Sequence, residues 1–136
     1  MYVLASQTRT ARRAEAEQAA RSGSIEAMLD LAASLRRHED GPVDPTAAEA
    51  WLRFAFAKAV VFRDEDRVGA IQLAIAALAL ARDDVAEARA FLEAAAESGE
   101  PTAMRRLADL VGEDELELDL AIFLRGRARQ VERRVN

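Results

Sequence analysis

The sequence predicts an all-α protein made of helix pairs that stack into a short solenoid of about seven helices. Alanine supplies 31 of the 136 residues, against six glycines and three prolines, and this composition favours helix over strand. Glycine, serine and aspartate interrupt the chain at intervals that match helix lengths. A segment near the N-terminus also reappears 76 residues later, from Gly23 to Gly99. We expect a single domain over residues 1–136.

A stop signal and a start signal separate the first two helices. An N-terminal capping helix is predicted at about residues 10–22. Gly23 ends it, because glycine readily adopts the left-handed conformation that follows many helices. Ser24 then caps a second helix, whose apolar residues recur at helical spacing as far as about His38.

Aspartates mark the starts of the central helices. Asp44 and Pro45 provide the N-cap and the first position of a third helix, which continues to Phe62. The acidic residues 64–66 separate it from a fourth helix, predicted at residues 67–82.

Two further helices follow the fourth. Asp84 caps a helix at residues 85–98, which Gly99 ends, and Pro101 starts a short helix that ends at Gly112. Helical spacing predicts that both bury an apolar face, formed by Ala88, Phe91, Leu92, Ala95, Met104, Leu107, Ala108 and Val111.

The last segment, residues 113–135, carries two conflicting patterns. Leu116, Leu118 and Leu120 alternate with acidic residues, which is a strand period, whereas a longer apolar series fits a helix. Acidic residues crowd the start and arginines crowd the end, which complements a helix dipole. We therefore predict a helix, interrupted or bent near Gly126, that caps the solenoid. Its apolar stripe would comprise Leu116, Leu120, Phe123, Leu124, Val131 and Val135.

An internal repeat joins these helices into units. The ten residues that begin at Gly23 and the ten that begin at Gly99 share Gly, Ala-Met and Leu-Ala at the same positions, and residues 69–74 form a weaker copy in the same register. A two-helix unit has an apolar face that it cannot bury alone, so such units stack. We predict repeat units at about residues 24–62, 66–98 and 101–135.

The order of these residues resembles the Sel-one-like repeat, a variant of the tetratricopeptide helix-turn-helix unit. The resemblance covers roughly residues 14–111. It is carried by Gly-x-x-x-Ala-Met-x-x-Leu from Gly23, by Gly-Pro-Val-Asp at residues 41–44, and by the alanine pair before Trp51. The family's Leu-Gly is replaced by Leu31-Ala32. Members are right-handed solenoid adaptors that bind protein or peptide partners and are not enzymes in themselves, so the resemblance implies the same here.

The resemblance also places the first helix of each unit on the concave side of the solenoid. By the register of the repeat, six residues are predicted to occupy equivalent outward positions and to contact a partner: Glu26, Asp30, Val68, Gln72, Thr102 and Arg106.

The central helix is apolar on every side from residue 68 to residue 81, with Gln72 as its one polar residue. A helix that is apolar all round must be covered all round. Either its neighbours, including the C-terminal helix, cover it, or one face stays open for a partner helix or a second copy of the chain.

Composition argues against most enzyme classes. No cysteine and one histidine exclude a disulfide scaffold, thiolate catalysis, cysteine-based zinc sites and a histidine-rich metal cage. Residues 38–40 (His-Glu-Asp) are interpreted as a solvated helix end, because adjacent loop residues do not point inward together. The acidic residues 64–66 and 83–84 lack calcium-loop spacing and are interpreted as helix caps, and no glycine-rich phosphate loop is present. We predict a protein that is not an enzyme and uses no cofactor.

The net charge of −5 argues against general nucleic-acid binding. All but one of the basic residues are arginine, as codon usage in a GC-rich bacterial genome produces. No stretch reaches the ~20 apolar residues of a membrane span, so we expect a cytoplasmic protein without membrane contact. Five arginines near the C-terminus are interpreted as charge compensation, since no aromatic residue interleaves with them to stack bases: Arg125, Arg127, Arg129, Arg133 and Arg134.

Together these features predict a non-catalytic adaptor or scaffold module. It would bind a protein or peptide partner through its concave face or over the central helix. The alternative is a self-associating regulatory domain, with the C-terminal helix as the seam of a homodimer or as a basic contact with nucleic acid.

Overall fold

The computed structural model describes the backbone of residues 2–112 and 118–135, and the side chains of residues 11–112 and 119–134. Within those residues it contains seven α-helices, one short 3-10 helix and no strand, which confirms the all-α prediction. No described helix is both long enough and apolar enough to cross a membrane. The chain divides into two compact units, Met1–Phe62 and Arg63–Asn136.

In the first unit each helix packs on the next one along the chain. The N-terminal helix begins at Tyr2, well before the predicted residue 10. The second helix ends at Leu35, earlier than predicted, because His38 opens a separate 3-10 turn. The elements are α1 (Tyr2–Arg21), α2 (Ile25–Leu35), the 3-10 helix His38–Asp40 and α3 (Pro45–Val61).

The second unit also packs consecutive helices on one another. Its first helix begins at Glu65, two residues before the predicted start, because Asp64 is the N-cap and accepts the Arg67 N–H. Glu65 and Asp66 therefore occupy the first helical turn, where the helix dipole favours carboxylates. The elements are α4 (Glu65–Ala81), α5 (Val85–Glu97), α6 (Pro101–Val111) and α7 (Leu118–Val135).

One turn design connects α1 to α2, α4 to α5 and α5 to α6. In each case a residue with positive φ follows the helix, and the next residue is the N-cap of the following helix: Gly23 (φ +100°), Asp83 (φ +60°) and Gly99 (φ +89°). Each N-cap also donates its backbone N–H to a carbonyl five residues earlier, as in a Schellman motif. These turns confirm the predicted helix ends at Gly23 and Gly99.

The predicted capping side chains are confirmed. Ser24 Oγ accepts the Ala27 N–H at 3.2 Å and Asp44 Oδ1 accepts the Ala47 N–H at 3.0 Å. Asp84 Oδ1 accepts the Glu87 N–H at 3.1 Å. This bond, reinforced by Arg82, lowers the pKa of Asp84 below its ordinary value of 3.8.

Alanine dominates both cores, so neighbouring helices can approach one another closely. In the first unit, Leu52 is the largest buried side chain of α3, and the neighbouring Trp51 is half-buried. In the second unit the predicted inward residues of α6 are buried, and Phe91 of α5 packs at the edge of the core. That core comprises Ala76, Leu92, Ala95, Ala103, Leu107, Ala108, Val111, Ala121 and Leu124.

The last helix differs from its predicted form. Helix α7 runs through Gly126 without interruption, because the ~1 kcal/mol cost of one mid-helix glycine is offset by packing of α7 on α6. Its buried face consists of Ala121, Leu124 and Ala128. Of the predicted apolar stripe, Leu120 and Phe123 are exposed, Leu124 is buried and Val131 is half-buried. The segment 113–117, with Leu116, and the side chain of Val135 lie outside the described residues.

Candidate functional site

The predicted partner-binding residues do not all point outward. The first helices of the three predicted units have their N-caps at Ser24, Asp64 and Glu100. Asp30 and Arg106 each lie six residues after their N-cap and are exposed. The sixth residue after Asp64 is Ala70, which is exposed, whereas the predicted equivalent lies eight residues after it.

Gln72 is that predicted equivalent, and it is buried, with 8% of its surface exposed. The same two-residue shift affects Val68, which is half-buried. Counted from the N-caps, Asp66 corresponds to the exposed Glu26 and to the half-buried Thr102. The prediction took its register from the weaker repeat copy at residues 69–74, and that register differs by two residues from the one that the N-cap Asp64 defines. Two residues turn a helix by about 200°, onto the opposite side.

The amide of Gln72 has an unsatisfied acceptor. Its Oε1 atom is buried without a hydrogen-bond partner. A Cβ added to Gly69, one turn earlier on the same face, would lie 3.4 Å from the Ser98 side chain, and Ala76, one turn later, belongs to the core. Gln72 therefore lies on the packed side of α4 rather than on a binding surface.

The central helix α4 is covered except along one side. Its large residues Ile71, Ile75 and Leu78 are buried. The open side carries the small residues and one leucine: Ala70 and Ala81 are exposed, and Ala74, Ala77 and Leu80 are half-buried. Neighbours thus cover the large residues, and the alanine side stays accessible; binding of a partner on that side stays a prediction.

An open cleft of about 410 Å³ lies beside this alanine side, between α4 and α6. Ala77 and Leu80 of α4 and Leu110 of α6 supply its apolar walls. Asp109, also in the lining, accepts a hydrogen bond from Arg125 of α7 at 3.0 Å and forms an exposed ion pair with it. Arg106, which also lines the cleft, has no ion-pair partner among the described residues.

A second cleft, of about 380 Å³, lies in the first unit between α1, α2 and the 3-10 turn. Asp30, a predicted partner contact, lines it together with Arg12, Arg13, Arg37 and Asp40. The Arg37–Asp40 ion pair spans 3.3 Å between Nε and Oδ2. This ion pair is the one that the described residues form among the charged groups of the cleft.

The Arg13 side chain makes three hydrogen bonds within the first unit. Its guanidinium donates to Ser34 Oγ at 3.1 Å, to the Ser34 carbonyl at 2.6 Å and to the Pro42 carbonyl at 2.9 Å. It thereby joins α1 to the C-terminal turn of α2 and to the following loop. Gly41 has φ +135°, a backbone conformation that residues with a side chain rarely adopt, so this loop position favours glycine. No sequence pattern pointed to Arg13.

The acidic and basic clusters behave as surface groups. His38 Nε2 lies 3.7 Å from Glu39 Oε1, both side chains are exposed, and no described group of three His, Asp or Glu residues could hold a metal ion. Among the C-terminal arginines, Arg125 pairs with Asp109, which supports the predicted charge compensation for that residue. The other four are exposed and have no ion-pair partner within the described part of the chain: Arg127, Arg129, Arg133 and Arg134.

Comparisons with known proteins identify no relative of this chain. The chain matches no family model, no curated protein and no solved structure.

Proposed function

We propose that the chain is a non-catalytic adaptor module that binds a peptide segment of a protein partner in the cleft between α4 and α6. One observation carries the proposal. Apolar walls from Ala77, Leu80 and Leu110 lie beside Arg106, which has no ion-pair partner among the described residues. Apolar burial supplies binding free energy, and a guanidinium fixes the orientation of a carboxylate by paired hydrogen bonds.

The chemistry of the cleft defines its ligand. Alanine on α4 leaves room for the backbone of a peptide to approach closely, and the two leucines can contact one apolar side chain. Arg106 selects a carboxylate at the rim, from Asp, Glu or a chain terminus. The ligand is therefore a segment with an apolar anchor next to an acidic group.

The proposal keeps the predicted two-helix units of the Sel-one-like type. An exposed residue lies six positions after each N-cap: Asp30 in the first unit, and Ala70 and Arg106 in the second. Glu26 and Thr102 stay predicted contacts, each near the start of its own helix. Gln72 and Val68 are replaced by Ala70 and Asp66.

Peptide selection on the full chain tests the proposal. A library of random peptides is panned against the protein, and enriched peptides are titrated by calorimetry. We expect them to combine an apolar residue with a carboxylate, and Arg106→Gln to weaken binding at least about tenfold, equivalent to ~1.4 kcal/mol. Arg129→Gln is the matched control, because Arg129 is an exposed arginine of α7 outside the cleft.

Two results would refute the cleft as the binding site. One is equal binding by the wild type, Arg106→Gln and Leu110→Asp variants. The other is an enriched set of peptides whose affinity responds to Arg129→Gln instead.

Self-association is the second candidate function. It is favoured by large apolar side chains that are exposed on α3 and α7, among them Phe54, Val61, Leu120 and Phe123.

A further inference from the structure

The cleft between α1, α2 and the 3-10 turn of the first unit has a polar lining. Its volume of about 380 Å³ is near the lower end of the range for small-ligand sites. The lining that the structure describes consists of three arginines, two aspartates, one serine and one alanine: Arg12, Arg13, Arg37, Asp30, Asp40, Ser34 and Ala16. Such a lining suits a small charged ligand, because it offers little apolar surface to bury.

Arg13 contributes a positive charge that is held in place. Its three guanidinium nitrogens each donate one hydrogen bond, to the Ser34 hydroxyl, the Ser34 carbonyl and the Pro42 carbonyl. All three acceptors are uncharged, so these bonds order the guanidinium group without offsetting its charge. A guanidinium group has five N–H groups, and two of them remain without a partner among the described residues. A group that is already ordered loses little conformational entropy when it binds an anion.

Two more charged groups of this lining are unpaired. Arg12 and Asp30 are both exposed, and neither forms an ion pair or a side-chain hydrogen bond with another described residue. Arg37 and Asp40, by contrast, pair with each other at 3.3 Å. The described lining therefore holds two guanidinium groups without a carboxylate partner, from Arg12 and Arg13, and one carboxylate without a cation, from Asp30.

We propose that this cleft binds a free acidic amino acid, glutamate or aspartate. Such a ligand carries two carboxylates and one ammonium group at neutral pH. The two carboxylates match the guanidinium groups of Arg12 and Arg13, which bind carboxylate oxygens through paired N–H donors. The ammonium group matches the carboxylate of Asp30. Each unpaired charge of the described lining then gains a partner of opposite sign, and the Arg37–Asp40 pair stays intact.

Simpler ligands leave part of this charge without a partner. A dicarboxylate without an ammonium group offers nothing to Asp30 and is repelled by it. A neutral amino acid leaves one of the two guanidinium groups without a carboxylate. An apolar side chain gains little, because Ala16 supplies the one apolar contact in the described lining. Selectivity for an acidic amino acid thus comes from both attraction and repulsion within the cleft.

The exposure of Arg12 and Asp30 predicts a modest affinity. Water screens exposed ion pairs, so that each contributes little to binding. We expect a dissociation constant between about 0.1 mM and about 10 mM for glutamate at low ionic strength.

Titration of the isotope-labelled full chain with L-glutamate, followed by two-dimensional amide NMR, measures such an affinity and locates the ligand. The amide signals of Ser34 and Arg37 should shift, because both residues line the cleft. Glutamine lacks the second carboxylate and glutarate lacks the ammonium group. Each should therefore bind at least about threefold more weakly than glutamate, which corresponds to the loss of one exposed ion pair.

Two variants test the residues that select the ligand. Asp30→Asn should raise the dissociation constant for glutamate at least about threefold and should not raise that for glutarate, because it removes repulsion from the second ligand. Arg12→Gln should weaken both ligands. Arg36→Gln is the matched control, since Arg36 is an exposed arginine next to Arg37 that lies outside the described lining. The amide spectrum of each variant also shows whether it is folded, and either variant tests the site if the other misfolds.

Three results would overturn the proposal. The first is the absence of any amide shift at about 20 mM glutamate. The second is equal affinity for glutamate, glutarate and inorganic phosphate, which would define a general anion site. The third is a loss of affinity in Arg36→Gln as large as the loss in Arg12→Gln, because the effect would then follow net charge rather than the cleft.

Discussion

Replacing Arg13 by methionine should destabilise the protein by about 2 kcal/mol. Methionine keeps the length of the apolar stem and removes the guanidinium. The variant loses the bond to Ser34 Oγ, which is largely buried, and a cation at the C-terminal turn of α2. Each is worth about 1 kcal/mol. The bond to the Pro42 carbonyl is exposed and adds little, and the Ser34 carbonyl still accepts the Arg37 N–H.

Urea unfolding followed by circular dichroism measures this loss. Arg12→Met is the matched control, since Arg12 is the neighbouring exposed arginine without a hydrogen bond or ion pair among the described residues. It should change the unfolding free energy by no more than about 0.5 kcal/mol. A double-mutant cycle of Arg13→Met with Ser34→Ala should give a coupling energy of about 1 kcal/mol. Equal effects of the two arginine substitutions, or a coupling near zero, would refute the role assigned to Arg13.

Two further predictions concern the second unit. Gln72→Leu should stabilise the protein by about 1–3 kcal/mol in urea unfolding, because it removes a buried acceptor without a partner. Gln130→Leu, on the exposed side of α7, should have almost no effect, and a Gln72→Leu variant less stable than wild type would contradict the packing described. Asp84 has a lowered pKa in the folded state, so its charge contributes stability above its ordinary pKa that disappears as the pH falls through the folded value. Asp84→Asn keeps the acceptor for the Glu87 N–H, so this variant should lose less stability than wild type between pH 6 and pH 2.5; an equal loss would exclude the carboxylate charge as the cause.

The helix ends could be predicted because their causes are local. Ser24, Asp44 and Asp84 cap backbone N–H groups three residues away, and Gly23 and Gly99 adopt the conformation that their residue type allows most readily. Such contacts depend only on residues that lie within a few positions of one another in the sequence.

The start of α4 was predicted wrongly because three consecutive acidic residues each suit an N-cap. Asp64 takes that position, while the prediction placed the whole acidic run before the helix. The register taken from the weaker repeat copy at residues 69–74 also differs by two residues from the one that Asp64 defines, and it put Gln72 on the predicted binding side instead of the packed side. A small error in register thus became a large error in the candidate site.

Arg13 and the exposed face of α7 depend on contacts between distant parts of the sequence. Arg13 meets Ser34 and Pro42, which lie 21 and 29 positions away. On α7 the apolar period alone favoured Phe123 as an inward residue, but close packing on α6 selects the small residues Ala121 and Ala128 and leaves the aromatic ring outside.

The alanine-rich interior reverses the usual pattern of mutational tolerance. Many core positions are already methyl groups, among them Ala55, Ala76, Ala88, Ala103 and Ala121, and all five are fully buried. Truncation to glycine removes little volume at such a position, whereas a single added isopropyl group must push two helix backbones apart. At these five positions we therefore expect only very small residues to be tolerated, and larger side chains fit only where a position faces the solvent.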